Sequence, residues 1–328
     1  MTLEQLIKDG YITCVKHPTE ELYIYNYTNK CQYGQHWNEI TISHRGLIKN
    51  KEGEVLYHCL PKIFNIEQMN NIPTLPYKVY DKLDGSLGIM YWVNNKPYIA
   101  TRSSFDNNIA NIATKILNNQ YEAIISSLNP KYTYLFEIIT PSNKVVVDYD
   151  NISDIYLLAI LDENGKDLPL QNIGFPIVSE FNTNLAMQEL QALNINNKEG
   201  FVFHFSNGDR IKVKFETYKL LHKLKHIVSY DTLINAYIED KIETLIDVPD
   251  ELYEELKQKL SVLKKEYDEI EKECKLLCSS FSTLQEALAG FKKHKYQKIL
   301  FTMYRNYDYS KYIWLQIKKQ HKNKCLQK

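Results

Sequence analysis

The chain has 328 residues, of which 44% are hydrophobic and 24% charged, and this globular composition excludes a disordered or collagen-like chain. It contains no run of about 18 apolar residues, so we expect no association with a membrane. Six scattered cysteines without a CxxC pair favour free thiols in a reducing compartment. The amino-terminal residues lack the basic and apolar blocks of a signal peptide, and we therefore expect a cytoplasmic protein.

Lysine plus arginine and aspartate plus glutamate both total 40, but the balanced sum hides a split along the chain. Residues 290–328 contain eleven basic residues and one acidic residue, Asp308. Residues 230–289 contain seven basic and fifteen acidic residues. This asymmetry indicates either a polyanionic partner at the carboxyl-terminal end or a basic segment that is simply solvated.

From residue 22 to about residue 215 the chain has the pattern of short strands joined by polar turns. The predicted strands are 22–27, 46–49, 55–59, 87–93, 98–101, 134–139, 145–149, 201–205 and 210–215. Hairpin turns are expected at 94–97 and 206–209, and helices near 107–127 and 185–193. Because helices and strands do not alternate regularly, the pattern predicts an α+β fold with antiparallel sheets.

After residue 229 the pattern becomes helical, with apolar residues spaced alternately by four and three. The residues of this stripe are Leu252, Leu256, Leu260, Leu263, Tyr267, Ile270, Cys274 and Leu277. Pro249 suits the first turn of this helix, and Ser282 with Gln285 predicts a capping box that opens another. We expect a first domain at 1–229 and an all-helical domain at 230–328. The stripe is expected to pack inside that domain, and no obligate protein partner is predicted.

The strongest chemical motif is Lys82-Leu-Asp84-Gly85-Ser86. A lysine amine has a pKa of about 10.4 and attacks only when neutral, so a lysine nucleophile needs burial or nearby cations. Lys212 and Lys214 are two residues apart on a predicted strand and share one face, where they could bind phosphate oxygens and disfavour protonation of Lys82. Gly85 permits a tight turn and a close backbone approach. Alone, the lysine pair indicates the solvated face of a strand, and only together with Lys82 and Glu199 in sequence order does it indicate a phosphate site.

Further segments occur in an order compatible with this motif, and together they carry a resemblance over almost the whole chain. They are 25–27, 44–46, 61–65, 101–104, 136–137, 140–147, 199–202, 212–214, Tyr218 and 303–308. In these segments the chain resembles the ATP-dependent RNA ligases of the T-even bacteriophage tRNA-repair type, the RNA ligase 1 family of covalent nucleotidyltransferases. Arg102 stands where that family commonly has lysine, and Ser103 where glycine is common.

The resemblance implies a nucleotidyltransferase domain with an ATP-grasp-like antiparallel sheet, followed by the helical domain. It implies that Lys82 attacks ATP to form lysyl-AMP, that AMP passes to an RNA 5′-phosphate, and that an RNA 3′-hydroxyl displaces it. The implied ATP-binding residues are Tyr25, Arg45, Lys62, Phe64, Asp84, Gly85, Arg102, Glu137, Glu199, Lys212, Lys214 and Tyr218.

The same resemblance implies a divalent cofactor, Mg²⁺ or Mn²⁺, near Glu199. Glu243, with Glu239 and Asp240 beside it, is a weaker metal candidate, because an acidic helix face is normally just solvated. The implied substrate is single-stranded RNA or tRNA cleaved in its anticodon loop, sealed by a viral protein in the host cytoplasm.

Two other classes remain open. A DNA ligase or an mRNA capping guanylyltransferase normally has arginine two residues after the motif glycine and an OB-fold after the KxK strand. Here that position is Leu87, and the remaining chain reads as helical. A non-catalytic RNA-binding protein would use the basic segment, but it would leave Lys82, Glu137 and Glu199 unexplained.

Overall fold

The computed structural model describes residues 1–227, 229–242 and 250–326. The chain divides into two compact units, Met1–Lys219 and Leu220–Lys328, and the division lies within a helix that ends just before the predicted boundary at 229/230. Among the described residues, no helix combines the length and apolarity needed to cross a membrane.

The strands and α-helices are numbered in chain order, and two short 3-10 helices, Ile66–Gln68 and Pro141–Asn143, lie between them. The amino-terminal part contains α1 (Leu3–Lys8), β1 (Ile12–Lys16), β2 (Leu22–Tyr27), α2 (Asn29–Tyr33), α3 (Glu39–Ser43), β3 (Arg45–Asn50), β4 (Val55–Tyr57), β5 (Phe64–Asn65), β6 (Tyr77–Lys82), β7 (Ser86–Val93) and β8 (Lys96–Thr101). It continues with α4 (Asn108–Gln120), α5 (Glu122–Ile125), β9 (Thr133–Ile139), β10 (Asp154–Leu161), β11 (Asp167–Leu168), α6 (Met187–Ala192), β12 (Gly200–Phe205), β13 (Arg210–Lys214) and α7 (Glu216–Ile227). The remaining helices are α8 (Tyr230–Ile238), α9 (Asp250–Ser279), α10 (Leu284–Phe291), α11 (Gln297–Tyr304) and α12 (Ser310–Leu326).

The described strands of the first unit form three sheets, with the orders β1-β2-β3-β4, β11-β10-β9-β7-β8 and β5-β13-β12-β6. Every strand pair is antiparallel except β5 with β13. The turn between β7 and β8 has positive φ angles at Asn94 and Asn95, which suits asparagine in a two-residue hairpin. The predicted α+β class with antiparallel sheets and a helical carboxyl-terminal region is confirmed.

The third sheet has one mainly polar and one mainly apolar face because polar and apolar residues largely alternate along β12 and β13. Phe201, Phe203 and Val213 are buried on the apolar face, in a core that also contains Leu190 of α6. On the other face, the register places Gly200 opposite Lys82 on β6 and opposite Lys214 on β13. Two lysines that are distant in sequence are thereby brought to either side of one glycine.

Two local predictions are wrong. Residues 145–149 are not a strand, because the N–H groups of Val146 and Val147 donate to the Asp84 carboxylate at 2.7 and 2.9 Å instead of to a neighbouring strand. The cap of α10 is Thr283 rather than Ser282, since the Thr283 hydroxyl accepts from the N–H of Glu286.

The second unit is helical in its described residues and has its own core. Leu256, Leu263, Ile270 and Cys274 of α9 are buried in it, so the predicted stripe packs inside the unit. Trp314 of α12 joins the same core. The side chain of Leu252 and all of Pro249 lie outside the described residues.

Gly200 has no room for a side chain. Its φ is +151°, and a Cβ atom there would lie 1.9 Å from the carbonyl oxygen of Val213, which is backbone and cannot move aside. We expect Gly200→Ala to lower the free energy of unfolding by about 3 kcal/mol or more, measured by urea denaturation. Gly208→Ala is the control: its φ is +90° but no atom lies within 4 Å, so it should cost only about 1 kcal/mol. Equal losses in the two variants would contradict this explanation.

Candidate active site

A buried carboxylate joins the two lysines that flank Gly200. Glu199, only 3% exposed, accepts from the Lys82 ammonium through Oε2 and from the Lys214 ammonium through Oε1, each at 2.7 Å. The strand register accounts for this, because Glu199 immediately precedes β12, and Lys82 and Lys214 end the two strands beside it. The predicted nucleophile, Lys82, and two predicted ATP-binding residues, Glu199 and Lys214, therefore form one hydrogen-bonded row.

This row determines the charge of Lys82. Burial by itself lowers the pKa of the Lys82 ammonium, but the carboxylates of Glu199 and Glu137 outweigh burial and raise the pKa above its ordinary value. The expectation that Lys212 and Lys214 dominate and favour the neutral amine does not hold in this arrangement, because Lys214 is itself paired with Glu199. Lys82 is therefore charged and held in place rather than poised to attack.

Asp84 holds the turn that follows Lys82. Its carboxylate is 5% exposed and accepts from the Tyr218 hydroxyl at 2.7 Å, in addition to the N–H groups of Val146 and Val147. Its own N–H donates to the Tyr149 hydroxyl at 2.8 Å. Asp84 and Tyr218, both predicted as ATP-binding, thus fix the loop around Lys82 by binding other parts of the protein.

Glu137 on β9 closes the other side of the turn. Its Oε1 accepts from the N–H of Gly85 at 2.9 Å, and burial raises the pKa of its carboxyl group to about 7, although Lys82 acts in the opposite direction. Gly85 cannot carry a side chain here, since a Cβ would lie 2.3 Å from the carbonyl oxygen of Ile138. The glycine of the motif therefore allows the nucleophile strand to approach β9 closely.

Four further cations face this row: Arg45, Lys62, Arg102 and Lys212. Within the described residues, no carboxylate lies within 4 Å of any of their charged nitrogens. Burial, with the charges of Lys62, Lys82, Lys214 and Arg45, lowers the pKa of Lys212 to about 7. Burial, with Arg45, Arg102 and Lys214, lowers that of Lys62 to about 8. A cluster of like charges without carboxylate partners is suited to binding a polyanion.

Of the two remaining predicted residues, Phe64 lies in the site and Tyr25 does not. Phe64 lies beside Lys62, with its ring centroid 5.5 Å from the ammonium. Tyr25 lies instead among Cys14, His44 and Lys49.

Among the weaker metal candidates, Glu243 lies outside the described residues, and Glu239 pairs with Lys241 at 2.9 Å. The described residues contain no cluster of three or more His, Cys, Asp or Glu side chains that could hold a metal ion.

Sequence reasoning missed two aromatic residues with roles in this site, Trp37 and Tyr149, and gave no individual role to Tyr27, although Tyr27 lies in the segment 25–27 that carries the resemblance. Tyr27 accepts from Arg102 at 3.2 Å, Trp37 lies 5.1 Å from the Lys62 ammonium, and Tyr149 binds the backbone of Asp84. With 25 tyrosines in the chain, the residue type gave no signal. For Tyr27 the resemblance of the segment 25–27 was the indication.

A cavity of about 280 Å³ lies on the same face of the third sheet as Lys82 and Lys212. Tyr80 and Val202, which are register partners and lie two positions along their strands from Lys82 and Gly200, line it. Leu60 and Ile63, on either side of Lys62, and Leu168 supply apolar walls. The size and the largely apolar lining fit a flat aromatic ring of nucleobase dimensions.

Lys212 provides a test of the electrostatic argument. Its pKa is lowered in the folded state, so its charge opposes folding most strongly near pH 7 and below, and the cost fades as pH rises toward the ordinary lysine value. We expect Lys212→Met to raise the free energy of unfolding near pH 7, with a smaller gain near pH 10, measured by urea denaturation. Lys214→Met should lower stability, because it removes a partner from buried Glu199. Destabilisation by Lys212→Met at both pH values would contradict the argument.

The family model described as RNA ligase, of the T4 RNA ligase 1 type, matches residues 43–232. A bifunctional polynucleotide kinase/RNA ligase of Autographa californica nuclear polyhedrosis virus is 27% identical over 248 residues, covering 66% of this chain and 35% of that protein. An RNA ligase of Rhodothermus phage RM378 is 23% identical, covering 88% of this chain and 81% of the other. A solved structure of Naegleria gruberi RNA ligase with PPi is 21% identical, with a TM-score of 0.38 over 45% of this chain and 51% of that one.

This chain therefore spans about a third of the baculovirus relative and about half of the Naegleria chain, but most of the phage protein. The family match covers more than half of the 328 residues and includes the Lys82 turn, Glu137, Glu199 and both β13 lysines. The chain belongs to the RNA ligase family of the T4 RNA ligase 1 type.

Proposed function

We propose that this protein is an ATP-dependent RNA ligase in which Lys82 is the nucleophile. One observation carries the proposal: the Lys82 amine shares buried Glu199 with Lys214 and faces Arg45, Lys62 and Lys212, which have no carboxylate partners among the described residues. A partly buried lysine beside a polyphosphate-binding cluster is the arrangement that covalent transfer of a nucleotide requires.

The nucleotide fits this site in one orientation. Its phosphates would lie on the cations of the cluster, with Lys214 and Lys212 nearest the α-phosphate. The base would enter the cavity lined by Tyr80 and Val202. Glu137 would accept from the ribose hydroxyls, because it lies between the phosphate cluster and the turn that follows Lys82.

The residues present fit a divalent metal. Glu199 offers a hard oxygen ligand, and because the described residues contain no cluster of three or more candidate ligands, water and phosphate oxygens would complete the shell. That suits Mg²⁺, which retains several waters, and a related ligase has been solved with ATP and Mn. When bound, the metal would supply neutralisation of phosphate charge. Lys82 must lose its proton before it attacks. The Glu199 carboxylate is the main group that raises the pKa of Lys82, so a cation that neutralises this carboxylate would lower that pKa and favour the neutral amine.

The reaction then proceeds in three steps. The Lys82 amine attacks the α-phosphate, and pyrophosphate leaves. The 5′-phosphate of an RNA takes the AMP from Lys82, and an RNA 3′-hydroxyl finally displaces AMP to form the phosphodiester. We further propose that the RNA is tRNA cleaved in its anticodon loop, repaired by a viral protein in the host cytoplasm, and that the helical residues 230–328 select it.

The first test is formation of the adduct. Incubation with [α-³²P]ATP and Mg²⁺ should label the protein with acid-labile, alkali-stable AMP, and Lys82→Ala should abolish the label, because no other amine shares Glu199 with Lys214 among the residues that the structure describes. Lys198→Ala is a matched control, since that lysine pairs with Asp81 outside this row. Label that persists in Lys82→Ala, or that arises from GTP but not ATP, would refute the assignment.

The same preparation distinguishes an RNA ligase from a DNA ligase. A 5′-phosphorylated single-stranded RNA of about 20 nucleotides should be circularised. Efficient sealing of nicked duplex DNA without RNA circularisation would instead identify a DNA ligase.

The basic segment 290–328 gives a prediction about RNA recognition. Lys292, Lys293 and Lys298 are exposed, and binding of RNA phosphates by such residues makes affinity depend on salt. Changing all three to glutamine should weaken binding of cleaved tRNA and lower its salt slope by up to about 2, at roughly 0.7 for each phosphate that is no longer neutralised, while lysyl-AMP formation is kept. Affinity measured at several salt concentrations tests this. An unchanged slope would mean that these lysines are only solvated.

A further inference from the structure

The Lys62 ammonium lies inside a cage of aromatic rings. Its Nζ atom is 5.6 Å from the ring centroid of Tyr27, 5.1 Å from Trp37 and 5.5 Å from Phe64. The rings meet edge to face, with Tyr27 and Trp37 at 90° and Trp37 and Phe64 at 89°. All three distances are within the range in which a ring face attracts a cation.

Both sides of this cage are fixed by hydrogen bonds. Trp37 lies between α2 and α3, where the Thr41 hydroxyl donates to the His36 carbonyl at 3.0 Å and the His36 N–H donates to the Cys31 carbonyl at 3.0 Å. Asn38, which follows Trp37, forms a capping box with Thr41. The N–H of Lys62 donates to the carbonyl of Ile42 in α3 at 3.0 Å. The short helix α3 therefore holds Trp37 and Lys62 against each other.

The cage attracts the Lys62 ammonium, whereas the neighbouring cations repel it. Lys62 faces the charges of Arg45 on β3, Arg102 after β8, and Lys212 and Lys214 on β13. The Cys31 thiol on α2 acts in the opposite direction and raises the pKa of Lys62, and the Tyr27 hydroxyl on β2 belongs to one of the rings around it. Four cations would repel the ammonium or favour its neutral form, whereas three ring faces attract the charged form.

We propose that Trp37 is a positioning residue which, with Tyr27 and Phe64, holds the charged Lys62 ammonium in the cationic cluster for the phosphate chain of ATP. The inference rests on the proposed function, because it takes the cluster as the triphosphate site. It assigns to the segment between α2 and α3 a role in nucleotide binding that its sequence does not reveal.

The test compares three variants that keep or remove the ring. Trp37→Leu removes the π face, and Trp37→Phe retains one. Tyr33→Leu removes a ring at the end of α2, four residues before Trp37, whose side chain is 77% exposed. The rate of lysyl-AMP formation is measured against ATP concentration between about pH 6 and pH 10. Trp37→Leu should weaken ATP binding about 3- to 10-fold near pH 8, the value of one cation–π contact. Its maximal rate at saturating ATP should be kept.

The pH profile separates positioning from a merely structural role. Without the Trp37 ring the ammonium loses its proton more easily, so the alkaline loss of ATP binding should move to lower pH by about half to one unit. Trp37→Phe should lie close to the wild type, and Tyr33→Leu should match it. A loss in Trp37→Leu that is equal at every pH, or one that Trp37→Phe shares in full, would overturn the proposal.

A second probe distinguishes failure of this proposal from failure of the ligase assignment. Binding of inorganic tripolyphosphate, measured by calorimetry, requires no adenylation. If the wild type forms no lysyl-AMP, yet tripolyphosphate binds less tightly to Trp37→Leu than to Trp37→Phe, the ligase assignment fails and the cage is supported. If adenylation occurs normally and tripolyphosphate binds equally to all variants, the cage has no positioning role.

Discussion

The carboxylate of Glu199 is shared by two ammonium groups in a place that water hardly reaches, and the geometry of the site depends on it. A buried charge must be paired, so Lys82 and Lys214 are bound to positions on either side of it. The pairing is possible only because Gly200, the next residue, carries no side chain where β12 approaches the backbone of β13. Strand register, glycine and charge pairing thus specify the same arrangement.

The three sheets contribute different groups to this place. The first sheet supplies Arg45, the second supplies Glu137, and the third supplies Lys82, Lys212 and Lys214. Asp84 connects the nucleophile turn to more distant segments through Val146, Val147 and Tyr218. Because these groups are carried by hydrogen-bonded strands of three sheets, the cations can be held closer together than their repulsion would otherwise allow.

That repulsion indicates how stability and function are related here. Lys62 and Lys212 both have lowered pKa values because they are partly removed from water and face other cations. Such charges oppose folding and are retained where a ligand of opposite charge repays their cost on binding. The apolar face of the third sheet, with Phe201 and Phe203 in a continuous core, supplies the stability that offsets them.

The sequence alone predicted most of the strands, including β12 and β13, and the hairpin turn between β7 and β8, but not β1 or β10. An ordered set of motifs predicted Lys82, Glu137, Glu199, Lys212 and Lys214 as the chemical groups, and the structure brings Lys82, Glu199 and Lys214 into contact. Only the tertiary structure placed Tyr27 beside Arg102 and Tyr25 instead among Cys14, His44 and Lys49. It likewise brought Trp37 to Lys62 and turned residues 146–147 toward Asp84. Periodicity records which face of its own element a residue occupies, whereas the distant segment that meets that face is decided by packing and by the pairing of buried charges.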